Sequence, residues 1–439
     1  VKILIPKNNF NAVSYTLRCL FQKFLGVNIS IIKSESVDDY LIEYGDRTVT
    51  IANVFFKGKS SELYRKKNIP KEVNAGTIEF AGKNFPIVSI YGRSNLTYIN
   101  QNRLRLESDI VGSTFFMLSR WEEAVIEEYD HHERFDYDSG LSVRMGFYQR
   151  AVVNEYTELV WQLCLFLNPK LKRKERKYTC TLTSDIDQLR KWKKPKRLFE
   201  SVYINLINGK WNRAWIDISN YFGSLSDPKK DFYNNLDYLA RKSRGLKTVF
   251  YLKTNYSHPK HDKNRYDLQE YAEELEEVKA HGVELGIHPH YHSYLDKENL
   301  IEEVENLNSF EDESVNLVRQ HFLRFSVPET WQYQAEAGLK EDSTMIYPHC
   351  GGFRNGVCYS FPVFDFLADQ ELEIYESPLI LMETAYLSGG FGKLMQDAKM
   401  LISEVKKYKG NFVMLWHNGN LVYPEQRYYF EKLIEMAKS

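Results

Sequence analysis

From residue 178 onward the chain is a succession of short apolar runs, most of them separated by stretches of helical periodicity. A parallel α/β sheet accommodates that rhythm, because each strand needs a crossover that a helix supplies. The runs read as strands at residues 180–183, 248–252, 283–287, 317–325, 344–347, 374–381 and 412–416. Between the second and third, Leu268, Tyr271, Ala272, Leu275 and Val278 form a helical stripe, and Leu300, Ile301, Val304 and Leu307 repeat it in the next connection. About seven βα units imply a parallel sheet or barrel. A helical excursion, residues 190–245, follows the first strand and carries a basic cluster from Lys191 to Arg197, read as solvent-facing.

The upstream part is different. Strands at 2–5, 29–33, 48–52 and 77–80 mix with helices at 15–25 and 115–128, which predicts a smaller α+β domain over residues 1–168. A basic run, Asn168-Pro-Lys-Leu-Lys-Arg-Lys-Glu-Arg-Lys177, reads as a solvated linker over 169–177. The catalytic candidates all follow it, so the first domain is expected to dock or position substrate.

Composition removes several classes. The 439 residues carry 58 basic and 59 acidic side chains, a net charge of −1, which lacks the footprint of a nucleic-acid binder. No apolar stretch nears the roughly 18 residues of a membrane span. Five scattered cysteines make no disulfide framework, and Val1-Lys-Ile-Leu-Ile-Pro6 reads as a short strand, not a signal peptide, so a cytoplasmic location is expected. The oligomeric state is not legible.

The histidines carry the chemistry. Three of the 11 lie in Gly286-Ile-His288-Pro-His290-Tyr-His292-Ser-Tyr294, just after a strand, where βα folds build their sites. His288 and His292 are spaced by four, which sets two imidazoles on one face of a helical turn. A zinc-like ion would need a third protein ligand. The first strand offers one in Thr181-Leu-Thr-Ser-Asp185-Ile-Asp187, two carboxylates whose alternation points them the same way; the lesser alternative is a turn in which Asp187 caps the following helix. His417 ends the last strand, Arg319 and Arg324 lie in the 317–325 run, and Arg354 sits in a glycine-rich loop. Tyr291, Tyr294 and Trp416 adjoin these positions.

These motifs together resemble the metal-dependent polysaccharide deacetylases of carbohydrate esterase family 4, over Lys177 to Ser439. Leu118-Ser-Arg-Trp-Glu-Glu123, leading to Arg134-Phe135, resembles the accessory domain that precedes such enzymes in some bacterial surface-polysaccharide proteins. The resemblance implies a distorted seven-stranded (β/α) barrel. It implies Asp185 as general base, Asp187, His288 and His292 as ligands of one divalent ion such as Zn²⁺, and His417 as general acid. Arg324 or Arg319 would orient the base. For a polysaccharide substrate Tyr291, Tyr294 and Trp416, which lie beside the site, are the candidates for stacking on a sugar, and Arg354 in its glycine-rich loop is a further substrate-binding candidate. The family's Thr-Phe-Asp-Asp-Gly is Thr-Ser-Asp-Ile-Asp here, Pro289 replaces the usual Ser or Thr, His290 is extra, and no Arg-Pro-Pro is present. The implied reaction is removal of an N-acyl group, N-acetyl foremost, from an amino sugar or polysaccharide. Alternatives are an amidohydrolase of the same architecture acting on a non-sugar amide, an O-deacylase, and a silent carbohydrate-binding module.

Overall fold

Alternation of apolar residues gives the first 108 residues eight strands in the computed structural model, which describes residues 1–254, 266–311 and 314–439. They are β1 (Lys2–Pro6), β2 (Ser30–Ser34), β3 (Tyr40–Tyr44), β4 (Arg47–Ile51), β5 (Asn74–Phe80), β6 (Lys83–Ser89), β7 (Gly92–Asn100) and β8 (Arg103–Ser108). Six form a mixed sheet in the order β2-β1-β3-β4-β8-β7, and β5 pairs with β6 as a separate hairpin. The helix expected at 115–128 spans Ile110–Ser119 and then breaks at Arg120, whose φ of 52° is left-handed, before a short turn at Trp121–Val125.

The second sheet contains β9 (Thr179–Ile186), β10 (Lys247–Leu252), β11 (Val283–Ile287), β12 (Leu317–Val318), β13 (Glu341–Asp342), β14 (Phe361–Asp365), β15 (Gln370–Glu376), β16 (Leu381–Met382) and β17 (Asn411–Leu415). Among the described residues its nine strands run β14-β15-β13-β12-β11-β10-β9-β17-β16. Every neighbouring pair is parallel except β14 with β15. Central β9 is buried on both faces, as a parallel strand covered by helices must be. Helix Phe391–Lys407 shows the matching pattern, burying Leu394, Ala398, Leu401 and Val405 along one stripe. The common direction of the parallel strands brings their C-terminal ends together.

Three expected strands differ, the 374–381 run by splitting into the ends of β15 and β16, with residues 377–380 in neither. The 317–325 run stops at Val318, because Phe322 and Leu323 take φ of 59° and 57°, which no strand can continue. Residues 344–347 form no ladder. The backbone N–H of Thr344 donates instead to Asp342 Oδ2 at 3.2 Å and that of Met345 to Glu376 Oε1 at 3.3 Å.

The two parts of the chain share an apolar core, in which the Phe364 ring lies 4.8 Å from Tyr15 and 5.6 Å from Phe115. The intervening basic segment is anchored rather than simply solvated: Arg176 Nη2 donates to Lys23 O at 2.9 Å, and its guanidinium lies 3.9 Å from the Tyr359 ring centroid. No helix among the described residues is long and apolar enough to cross a membrane.

Candidate active site

Strand ends place the polar groups. Asp185 and Asp187 leave β9, His288 follows β11, Arg319 and His321 follow β12, Glu383 follows β16, and His417 follows β17. Asp185, Asp187, His288, His321 and His417 line a cavity of about 390 Å³, with Asn418, Tyr233 and Gln188, and Arg319 and Glu383 stand behind them.

His288, His321 and Asp187 converge, with one potential ligand atom from each lying within 4.8 Å of the others. His288 Nδ1 donates to the carbonyl of Arg319 at 2.7 Å. A carbonyl only accepts, so in the neutral ring the lone pair is on Nε2, the tautomer a metal ligand needs. That Nε2 is 3.4 Å from Asp187 Oδ1, and His321 Nε2 is 3.3 Å from the same oxygen. Asp187 Oδ1 nevertheless has no well-formed hydrogen bond among the described residues. Burial opposes the Asp187 charge, but His288, His321 and Lys253 hold its carboxyl well below the usual range. Burial and the Lys253 ammonium push His321 down to about 4, so its ring is neutral near pH 7. A carboxylate oxygen and two imidazole nitrogens make a donor set that fits a zinc-like ion.

His292 does not join this group. Its Nδ1 lies 3.5 Å from Arg324 Nη1. His290 is structural: Glu303 Oε2 sits 2.9 Å from its Nδ1 and accepts its backbone N–H at 2.8 Å. The side chain that stands with Asp187 and His288 is His321, which the expected strand over 317–325 concealed.

Asp185 is buried, 3 % exposed, with His288 Nε2 and His417 Nε2 each 3.8 Å from Oδ2. Arg319 is the arginine that reaches it, with Nη1 3.5 Å from Oδ1. Thr183 Oγ1 and Ser343 O fix that guanidinium at 2.8 Å each, and Ser343 Oγ does so at 2.9 Å. Arg324 turns away, donating to His132 O at 2.9 Å, Tyr291 O at 2.7 Å and the Tyr294 hydroxyl at 2.9 Å.

Opposite Asp185, Glu383 Oε1 accepts from His417 Nδ1 at 2.8 Å and from Asn420 Nδ2 at 2.7 Å. Burial works against the imidazolium, but the Glu383 carboxylate, aided by Asp185 and Asp187, outweighs it and raises His417 to about 10. The ring is thus protonated near pH 7. Glu383 escaped sequence reading because a two-residue strand, Leu381–Met382, has no periodicity to mark its end.

The expected substrate contacts are mostly committed elsewhere. Trp416 is fully buried against Phe391 and Phe430, and donates Nε1–H to Asn420 O at 3.0 Å. Arg354 is buried in a two-bond pair with Glu123, Nε to Oε1 at 2.9 Å and Nη2 to Oε2 at 2.5 Å. Tyr294 receives Arg324, and the Tyr291 hydroxyl lies 3.1 Å from His132 Nδ1. The upstream part instead contributes Arg134 to the cavity wall. Asp130 builds the loop that carries it, accepting from the backbone N–H of His132 at 2.8 Å and from Arg134 Nε at 2.7 Å.

A model of a family of unknown function, DUF7033, matches residues 1–169. A search of curated proteins finds no match. Among solved structures, a protein designated a polysaccharide deacetylase from Mycobacterium smegmatis aligns at 14% identity and a TM-score of 0.38. The corresponding figures are 12% and 0.37 for one so designated from Pseudomonas aeruginosa PAO1, and 11% and 0.37 for PuuE allantoinase. Each alignment covers 60% of this chain and 85% of the other.

Proposed function

We propose that the chain is a hydrolase that removes an N-acyl group, N-acetyl foremost, from an amino sugar or polysaccharide. The observation that supports it most is a carboxylate and an imidazolium facing each other across one cavity, Asp185 Oδ2 and His417 Nε2 at 3.8 Å, beside the Asp187–His288–His321 group. In this reading Asp187, His288 and His321 hold one divalent ion, zinc or a similar one, with His321 in the place expected of His292. Such an ion supplies Lewis acidity towards a carbonyl and makes water a better nucleophile near neutral pH. Asp185, oriented by Arg319, takes the proton of the attacking water. His417, charged by Glu383, gives its Nε2 proton to the departing nitrogen, which is too basic to leave as an anion. Each proton transfer is worth on the order of 10² to 10⁴ in rate. Arg134, at the cavity wall, positions polar groups of the substrate. The reading includes a sheet curled into the distorted (β/α) barrel that the motif order implies, seven-stranded in that family.

The test is acetate release from N-acetylated amino-sugar oligomers against an aryl acetate, in the zinc-loaded protein and in His417→Asn. An amine leaving group needs the proton and a phenolate does not. Loss of roughly 10² on the amide with the aryl ester largely spared is expected. No release from any N-acetyl sugar would end this reading.

A further inference from the structure

Residues 195–226 fold as two helices, Pro195–Ile207 and Trp211–Ser226, whose amphipathic sense is inverted. The inward side is polar: buried Asp217 accepts from Lys191 Nζ at 2.6 Å, Ser201 Oγ at 2.6 Å and Asn205 Nδ2 at 2.9 Å. The outward side is apolar. Phe199, Tyr203 and Ile207 recur every four residues on the first helix, and Trp211, Trp215 and Phe222 share one face of the second. All six are exposed, Phe199 and Trp215 at 71% and Trp211 at 69%. A surface helix normally turns such a stripe towards the core, and contiguous apolar patches left outside mark interaction sites.

Charge identifies the occupant. Residues 190–231 hold ten basic and four acidic side chains, a formal +6 in a chain whose net charge is −1. Lys194, Lys196 and Lys210 are exposed at the ends of the two helices. Aromatic and aliphatic side chains on one face, rimmed by lysine, are what an interfacial helix presents to headgroups and acyl chains. A second copy of the chain docked by a two-fold axis would set this positive face against itself. A saccharide would make little use of Ile207.

We propose that this helical hairpin docks on an anionic bilayer surface, lying in the interface without crossing it. The hairpin rises from the same end of the sheet as the cavity. Gln188 and Tyr233, at its two feet, line that cavity, and Asn418 Nδ2 ties them by donating to their carbonyls at 2.7 and 2.9 Å. Docking therefore sets the cavity close to the membrane, where a saccharide on a lipid carrier would be presented.

The experiment is co-sedimentation of the full chain with vesicles of phosphatidylcholine alone, and with about a third of it replaced by phosphatidylglycerol. Binding to the anionic vesicles that weakens with salt is expected, with a blue shift of tryptophan emission. Trp211→Ser with Trp215→Ser should cut partitioning about tenfold or more, and Phe199→Ser with Phe222→Ser should act alike. Lys194→Glu with Lys210→Glu should erase the preference for anionic lipid. These side chains are exposed, so melting temperatures should not move. Three results would overturn the proposal: no partitioning of the unaltered chain, a dimer in sedimentation that Trp215→Ser dissolves, or polysaccharide retardation lost in the tryptophan variant. None of these readouts depends on the acetate-release assay, so the two proposals fail separately.

Discussion

Glu383 Oε1 receives both the Nδ1 and the backbone N–H of His417, at 2.8 and 3.0 Å, so the imidazole is held at two points and its Nε2 faces Asp185. Ring rotation would break a charge-assisted bond inside a buried site, which makes the outward Nε2 a fixed proton donor. Glu383→Gln keeps the shape and removes the charge. The alkaline limb of the pH–rate profile should then move down by roughly two units, so that activity near pH 9 falls about tenfold while activity near pH 7 is largely kept. An unmoved limb would show that Glu383 only packs.

The same pair sets a stability window. Because the folded-state pKa of His417 is raised from 6.5 to about 10, its contribution is whole below 6.5 and is lost as pH climbs through about 10. Melting temperature measured from pH 6 to pH 10 should fall more for the unaltered protein than for Glu383→Gln. Parallel curves would remove the linkage.

His321→Ala should abolish stoichiometric zinc, whereas His292→Ala should retain it. Elemental analysis of the two dialysed proteins decides between the proposed ligand set and the one that motif spacing implies. Retention in both would place the ion elsewhere.

The two aspartates of β9 should separate cleanly. Asp185→Asn is expected to bind zinc as before and to lose on the order of 10² to 10⁴ in rate, while Asp187→Asn loses both. Metal content read alongside acetate release checks the assignment, and the reverse pattern would exchange the roles.

Arg354 predicts a stability effect across the two parts of the chain. Its removal leaves Glu123 buried with Arg120 Nε alone, 2.9 Å from Oε1. Arg354→Met should cost about 3 kcal/mol in urea unfolding. A change within about 0.5 kcal/mol would mean that water or Arg120 replaces it fully.

The sequence carried the strand-end positions of Asp185, Asp187, His288 and His417, since parallel strands send every C-terminal end to one side. His321 was hidden inside an apolar run that looks extended but turns at Phe322 and Leu323, a backbone choice that apolarity does not encode. Trp416 could have been placed by alternation alone: in extended chain it points opposite to its neighbour His417. Arg354 could not, because its partner Glu123 lies 231 positions away and either residue alone reads as surface charge.

Arg319 gives the site a property beyond the sum of its bonds. Its carbonyl fixes the tautomer of His288 at 2.7 Å, and its guanidinium stands 3.5 Å from Asp185. Asp185 and His288, the proposed base and one proposed ligand, are thus referred to a common datum, a single residue whose internal dimensions hardly vary. When the sheet breathes, both should be carried along together, and their relative displacement should stay smaller than either absolute one. Tolerances of about half an ångström, which proton transfer demands, can then survive on strands that individually move more than that.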